Sequence, residues 1–311
     1  MNLVEKLYPL WIIMAVGVGV LLGGVSSVQR IALEFVTPLL IAMLFFAFLQ
    51  IPMMQIRQGF SHRRFVWSSV TLNFVVTPLL AWGLAALFLA DYPALWIGFI
   101  MLMVTPCTDW YIIFTQMAKG NVGLSMSILP LNLVMQLILL PLYFYLFTST
   151  TGLVEMSFVL ESIVFVLFLP FILALIVKRL FKRNQHLLVK VGGAPIFFLC
   201  LTIVAMFASQ GTLLFNNQYL LGRLLAVILL FFVLMFIIGR LTGRWLRFSN
   251  ADKASLNMTT LARNSPIALA IALTAFPNEP LIAFVLIIAP LIELPVLSVV
   301  AFAIALLDRR E

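Results

Sequence analysis

Charged residues are scarce in this chain of 311 residues. Only 10% of the residues are Asp, Glu, Lys or Arg, whereas 64% are hydrophobic, and the mean hydropathy is +1.17. Soluble globular domains contain about 25% charged and roughly 45–50% apolar residues. Because so few charges could not cover this much apolar surface, the composition excludes a cytosolic enzyme, a nucleic-acid-binding protein and a disordered chain. A polytopic membrane protein remains.

Residues and motifs that carry catalysis are also scarce. The two cysteines, Cys107 and Cys200, both lie in apolar runs, so the sequence indicates no disulfide scaffold. The chain contains no G-x-x-x-x-G-K-[ST] sequence, no H-E-x-x-H and no G-x-S-x-G. Nucleotide-driven chemistry, an intramembrane metalloprotease and a serine hydrolase therefore lack support. We predict that the protein is not an enzyme and that it holds no cofactor.

Long apolar runs predict an all-α membrane fold with ten transmembrane helices. A bilayer core of ~30 Å requires about 20 apolar residues per helix, and a spanning barrel would instead alternate polar and apolar residues. The predicted spans are 8–25, 33–54, 65–90, 94–118, 122–148, 153–177, 194–212, 221–246, 252–276 and 280–307.

The net charge of +8 is distributed unevenly over the loops between these spans. With the N-terminus inside, only Arg30 and Arg223 fall on the outside, and of the basic residues only Arg263 lies well inside a span. The positive-inside rule therefore favours ten helices with both termini in the cytoplasm of a cell (inner) membrane, and it explains the basic residues without nucleic acid. The alternative is a cleaved signal peptide ending near Gly23, which would leave nine helices. The inside residues are Lys6, Arg57, Arg63, Arg64, Lys119, Lys178, Arg179, Lys182, Arg183, Lys190, Arg240, Arg244, Arg247, Lys253, Arg309 and Arg310.

Prolines recur in the fourth and ninth spans and in the spans that follow them. Pro106 and Pro130 are related to Pro266 and Pro290 by a shift of 160 positions. Five helices per half give the halves opposite orientations, so we predict inverted repeats at 1–148 and 153–307, with broken helices 4 and 9 crossing near the midplane. Core and panel domains would each draw on both repeats. This pattern is typical of secondary transporters that work by alternating access. The alternative is that unrelated proline kinks share a spacing by chance.

Few ionisable groups lie well inside the spans, and each is costly there. Asp109 follows the first proline, Arg263 precedes the second, and Glu293 follows Pro290. We expect these residues to meet where the broken helices cross, with Glu293 and Asp109 as proton or ion sites. In a purely structural alternative, Arg263 is only the charge partner of Asp109.

The thiol of Cys107 lies directly after Pro106. A thiol at the open end of a broken helix favours the thiolate, which binds soft partners. Its alternative role is that of a small buried hydrophobic residue. Asn132 and Gln136 are four residues apart on one helix, and Asn73 lies in the third span. These amides either line a polar pathway or form hydrogen bonds between helices.

The segments Met103–Thr108 and Arg263–Ser265, followed by Pro-Leu-Ile-Glu-Leu-Pro-Val from Pro290, resemble the arsenite efflux permeases of the bile acid/sodium symporter superfamily. The resemblance implies export of arsenite or antimonite against protons. In that family a cysteine of the fourth helix and a glutamate of the tenth are linked to transport, and these fall on Cys107 and Glu293. We predict a substrate site of Cys107, Thr108, Asn264 and Ser265, in which Cys107 contacts the metalloid arsenic, and proton coupling at Glu293.

The chain also departs from the pattern of these permeases. Asp109 stands where that family has small or apolar residues, and no acidic residue follows Asn264 and Ser265. Asp109 therefore replaces the missing carboxylate in this interpretation.

Two other functions stay open on the sequence. One is a sodium- or proton-coupled carrier of an organic anion, in which Arg263 holds a carboxylate. The other is a channel-like or receptor protein without coupled turnover. The expected partners are a small-molecule or metalloid substrate, protons or sodium, and membrane lipid. The sequence makes no prediction about oligomerisation.

Overall fold

A computed structural model describes residues 8–50, 62–107, 111–148, 157, 161–162, 164–181, 193–216 and 218–307. Helices make up nearly all of this part of the chain, and no strand is present in it apart from one isolated bridge. The helices are α1 (Tyr8–Leu22), α2 (Ser26–Gln50), α3 (Arg63–Thr71), α4 (Thr77–Phe88), α5 (Pro93–Met103), α6 (Tyr111–Met117), α7 (Val122–Thr148), α8 (Leu169–Leu180), α9 (Ala194–Asn216), α10 (Gln218–Trp245), α11 (Asn250–Leu261), α12 (Ser265–Ala275) and α13 (Pro280–Leu307).

Five stretches of helix within the described ranges are long and apolar enough to cross a membrane. They are Ser26–Leu49, Arg63–Phe88, Val122–Phe147, Tyr219–Trp245 and Pro280–Leu307, and four further apolar helices are shorter. The chain is thus an all-α, multi-pass membrane protein, as predicted. The predicted spans 122–148 and 280–307 coincide with α7 and α13. The inverted repeats, the location of the termini and the depth of the helix breaks stay predictions.

The described residues fall into two compact units. The first unit is formed within Met1–Ile51, Glu155–Gly222 and Pro266–Leu291, and the second within Pro52–Val154, Arg223–Ser265 and Ile292–Glu311. In the first unit, α9 packs against α1 and α2, and α8 packs against α2. In the second unit, α11 packs against α3, α6 and α7. Each unit therefore combines segments that are distant in sequence.

Proline also shapes the third span, in which α3 and α4 are joined by the π-helical turn Leu72–Val76. Pro78 has no N–H, so the carbonyl of Phe74, four residues earlier, loses its usual donor. The hydroxyl of Tyr143 on α7 donates to this carbonyl at 2.5 Å. The proline therefore accounts for the wide π-helical turn. The hydrogen bond from Tyr143 satisfies the freed carbonyl and connects α7 to the third span.

Gly19 on α1 and Gly23, directly after α1, allow close packing in the first unit. A Cβ at Gly19 would meet the carbonyl oxygen of Val204 at 2.8 Å and the Cβ of Phe207 at 2.7 Å. A Cβ at Gly23, one turn later, would meet backbone oxygens of α9 at 3.1 Å. Small residues four apart let the backbones of membrane helices approach each other in this way.

We expect Gly19→Ala to lower the free energy of unfolding by about 1–3 kcal/mol, because the added methyl group collides with the backbone of α9. Gly17→Ala is the matched control, since a Cβ at Gly17 meets nothing within 4 Å. Thermal unfolding of the detergent-solubilised protein measures both variants. Equal midpoints for the two variants would contradict the close contact between α1 and α9.

Candidate functional site

Two interruptions between helices lie side by side in the second unit. The first falls between Met103, where α5 ends, and Tyr111, where α6 begins; the second falls between α11 and α12. Pro106 and Arg263 form an isolated antiparallel bridge. In this bridge the N–H of Cys107 donates to the carbonyl of Ala262 at 3.0 Å, and the N–H of Asn264 donates to that of Thr105 at 2.7 Å. Two broken helices thus replace helical hydrogen bonds with bonds to each other.

The prolines explain which carbonyls need new donors at these breaks. Proline removes the bond to the carbonyl four residues earlier, so Pro106 frees that of Leu102 and Pro266 frees that of Ala262. The hydroxyl of Thr105 donates to Leu102 at 3.0 Å. The carbonyl of Ala262 is the acceptor for Cys107. An unpaired carbonyl in an apolar interior costs several kcal/mol in free energy, so these bonds stabilise both breaks.

The side chain of Arg263 binds the remaining carbonyl ends of both broken helices. Its Nη1 donates to the carbonyl of Met103 at 2.9 Å, and its Nε donates to that of Leu261 at 3.1 Å. Its Nη2 donates to the carbonyl of Thr260 and to the Oδ1 of Asn73, the latter at 3.4 Å. The guanidinium carbon also lies 5.5 Å from the centroid of the Phe231 ring.

This arrangement commits the charge of Arg263 to the protein. A guanidinium has five N–H donors, and four of them are used in the bonds above. Helix C-termini carry partial negative charge, so a buried cation between two of them is favourable. The predicted partner Asp109 and the predicted substrate residue Thr108 lie outside the described residues.

Glu293 and Cys107 both bind the segment that breaks between α11 and α12. The Oε1 of Glu293 accepts the backbone N–H of Arg263 at 2.7 Å. Because Cys107 donates to Ala262, the thiol residue and the carboxylate attach to neighbouring residues of one segment. Cys107 is 5% exposed and Glu293 is 3% exposed.

The other predicted substrate residues, Asn264 and Ser265, are buried at the second break. Pro106 lies in the first interruption, and Pro266 is the second residue of α12. Pro130 and Pro290, by contrast, lie inside the continuous helices α7 and α13.

The three predicted pathway residues differ in their hydrogen bonding. Asn73 is satisfied at both ends, because its Nδ2 donates to the carbonyl of Thr259 at 3.3 Å and its Oδ1 accepts from Arg263. Asn132 and Gln136 on α7 are fully buried, and none of their side-chain amide atoms has a hydrogen-bond partner in the described part of the chain. Four buried polar atoms without partners are costly unless water or a ligand reaches them. Asn73 therefore bonds to the protein at both ends of its amide, whereas the amides of Asn132 and Gln136 lack partners among the described residues; the polar pathway stays a prediction.

Sequence reasoning missed the polar character of α11. Ser255, Asn257, Thr259 and Thr260 on this helix are all fully buried. Four polar residues within one helix of so hydrophobic a chain could have indicated, from the sequence alone, that this helix lies next to the site. No side-chain pattern could identify the carbonyls of Met103 and Thr260 as ligands of Arg263, because every residue has a carbonyl.

With this geometry in hand, comparison with known proteins identifies the family. The family model described as the sodium bile acid symporter family matches residues 37–217, more than half of the chain. The chain belongs to the sodium bile acid symporter family. It is a membrane transporter of this family.

Three relatives match nearly the full chain. The arsenical-resistance protein Acr3 of Corynebacterium glutamicum is 27% identical, with 97% of this chain and 89% of the relative covered. The uncharacterized protein YbaS of Bacillus subtilis is 24% identical, with 84% and 86% covered. An uncharacterized transporter of Synechocystis is 22% identical, with 96% and 87% covered. The predicted resemblance to the arsenical-resistance branch of this superfamily is confirmed.

Replacing the two amides of α7 tests whether they bond to neighbouring helices. We expect Asn132→Leu and Gln136→Leu to leave the unfolding temperature unchanged or to raise it, because each removes buried polar atoms that lack partners. Asn73→Leu is the control, and it should cost about 1–3 kcal/mol because it leaves Arg263 without one acceptor. The measurement is thermal unfolding in one detergent. A loss at Asn132 or Gln136 equal to that at Asn73 would show that they bond helix to helix.

Proposed function

We propose that this protein exports arsenite or antimonite in exchange for protons by alternating access. One observation supports the proposal most directly: Cys107 and Glu293 hydrogen-bond to adjacent residues of the same broken segment. A thiolate is the protein ligand best suited to a soft, thiophilic arsenic centre. A buried carboxylate is the group best suited to carry a proton. The similarity to the arsenical-resistance protein Acr3 supports the same substrate.

The bond between Glu293 and the N–H of Arg263 supplies a coupling mechanism. A hydrogen bond to an ionised carboxylate is about twice as strong as one to a neutral acceptor. Proton uptake by Glu293 therefore weakens its hydrogen bond to the backbone N–H of Arg263. The segment between α11 and α12, to which Cys107 is hydrogen-bonded, then becomes more mobile. Substrate release from Cys107 follows, and loss of the proton on the other side restores the site. Asp109 is the second proposed proton site, while Thr108, Asn264 and Ser265 complete the substrate site.

The alternative function is sodium- or proton-coupled transport of an organic anion, and the family description favours it. Under that hypothesis Arg263 would bind the carboxylate of the substrate. The bonds of Arg263 argue against this role, since four of its donors already bind the protein. Half-helix N-termini at the breaks would have to bind the anion instead.

Arsenite uptake into everted vesicles tests the proposed export. We expect the unmodified chain to accumulate arsenite only while the vesicle lumen is acidic, and a protonophore should abolish accumulation. Cys107→Ser should lower the initial rate at least about tenfold, a change of about 1.4 kcal/mol in the barrier. Glu293→Gln should remove the dependence on the pH gradient, because it keeps an acceptor for Arg263 but holds no exchangeable charge.

Cys200→Ser is the matched control for the thiol, since Cys200 lies on α9 in the first unit and should leave transport intact. Arsenite uptake that survives in Cys107→Ser would contradict the role of the thiol. Uptake of a bile acid driven by sodium, with no arsenite signal, would replace the proposal by the alternative function.

A further inference from the structure

A second site lies in the same unit as the helix breaks but shares no residue with them. It is a cavity of about 440 Å³ at the start of α3 and at the turn between α10 and α11. Arg63, Arg64 and Arg247 line it, together with Ser249 and Asp252. Its volume exceeds by an order of magnitude the ~30 Å³ that one water molecule occupies in the liquid.

The cavity carries an excess of positive charge. Its three arginines are exposed, and none of their side chains has a hydrogen bond or ion pair within the part of the chain that the structure describes. Asp252 is already engaged, because its Oδ1 accepts from the Nδ2 of Asn121 at 3.1 Å. Within the described part of the chain, the planar guanidinium groups of these arginines are thus available to a ligand, and their geometry suits phosphate.

Packing beneath the cavity fixes the position of its walls. The rings of Phe65 and Phe248 lie 6.1 Å apart between centroids. Phe65 belongs to a buried cluster with Leu72, Leu124, Ile128 and Leu256, against which Phe248 packs. Since α3 and the turn after α10 are held together before any ligand arrives, binding costs little backbone conformational entropy.

Two helix starts add to the field inside the cavity. Arg63 and Arg64 are the first residues of α3, and Ser249 is the N-cap of α11. The first N–H groups of a helix lack intrahelical acceptors and carry partial positive charge. Three arginines and two helix starts together form an environment that attracts an anionic group.

We propose that this cavity binds a phosphate ester group. The favoured source is the headgroup of an anionic phospholipid, because Arg63 begins a stretch that is long enough to cross a membrane and basic pockets at such ends bind lipid headgroups. The same chemistry would hold a soluble phosphate ester. The positive-inside rule explains why arginines occur on this side, but it does not require three of them to surround one cavity.

Arg247 offers a substitution that separates charge from folding. Its φ is 56°, in the left-handed region where glycine is the favoured residue. Arg247→Gly should therefore keep the turn while it removes one ligand of the phosphate. A double variant, Arg63→Gln with Arg64→Gln, removes the other two. The control is Arg30→Gln with Arg179→Gln, which removes two exposed arginines of the first unit.

Lipid binding is measured by native mass spectrometry of the full chain titrated with phosphatidylglycerol or phosphatidylcholine. We expect phosphatidylglycerol to bind the unmodified chain about tenfold more tightly than phosphatidylcholine, a difference of about 1.4 kcal/mol. Arg247→Gly and the Arg63/Arg64 double variant should lose that preference, whereas the control should keep it. Thermal unfolding checks that Arg247→Gly is as stable as the unmodified chain.

A second titration uses glycerol phosphate and inorganic phosphate against chloride at equal ionic strength. Stabilisation by these soluble anions that disappears in both arginine variants would support the proposal with a soluble phosphate ester as the ligand. The proposal is overturned if neither lipid nor soluble phosphate distinguishes the cavity variants from the control.

Discussion

The guanidinium of Arg263 holds together two buried helix ends. Each break leaves backbone carbonyls without helical donors, and an unpaired carbonyl in a protein interior is costly. Arg263 binds Met103 at the end of one broken helix and Thr260 and Leu261 at the end of the other. In the bridge between Pro106 and Arg263, the N–H groups of Cys107 and Asn264 donate to the carbonyls of Ala262 and Thr105. The geometry of the candidate site depends on this one side chain.

The same bonds divide the polar residues of the site into structural and chemical groups. Arg263 and Asn73 are engaged with the protein, so they stabilise the breaks and have little capacity left for substrate. Among the described residues, Glu293 contacts the break through the backbone N–H of Arg263, and proton exchange would change the charge of its carboxylate. Asn132 and Gln136 are buried with amides that no described residue satisfies. In the proposed mechanism, proton exchange and substrate transfer therefore depend on a few side chains next to residues that the protein holds in place.

Apolar run length and proline position in the sequence were enough to predict much of this architecture. The spans at 122–148 and 280–307 followed from unbroken apolar stretches, and both helices end where those stretches end. The positions of Pro106 and Pro266 in the sequence indicated where backbone carbonyls lose their helical hydrogen-bond donors. Side-chain patterns could not predict that Arg263 would bind the backbone carbonyls of Met103, Thr260 and Leu261, nor that Pro130 and Pro290 would be accommodated inside continuous helices. Those outcomes depend on tertiary contacts that offer alternative donors.

Hydrogen exchange at the two breaks tests the role of Arg263 most directly. The amides of Cys107 and Asn264 should exchange slowly, like amides inside a stable helix, because each donates across the bridge. Arg263→Lys keeps the charge but loses the planar fork, so both amides should exchange at least about tenfold faster. Arg223→Lys, which alters the exposed pair of Arg223 with Asp91 at 3.6 Å, should leave both rates unchanged. Rapid exchange of both amides in the unmodified protein, or unchanged protection in Arg263→Lys, would contradict this account.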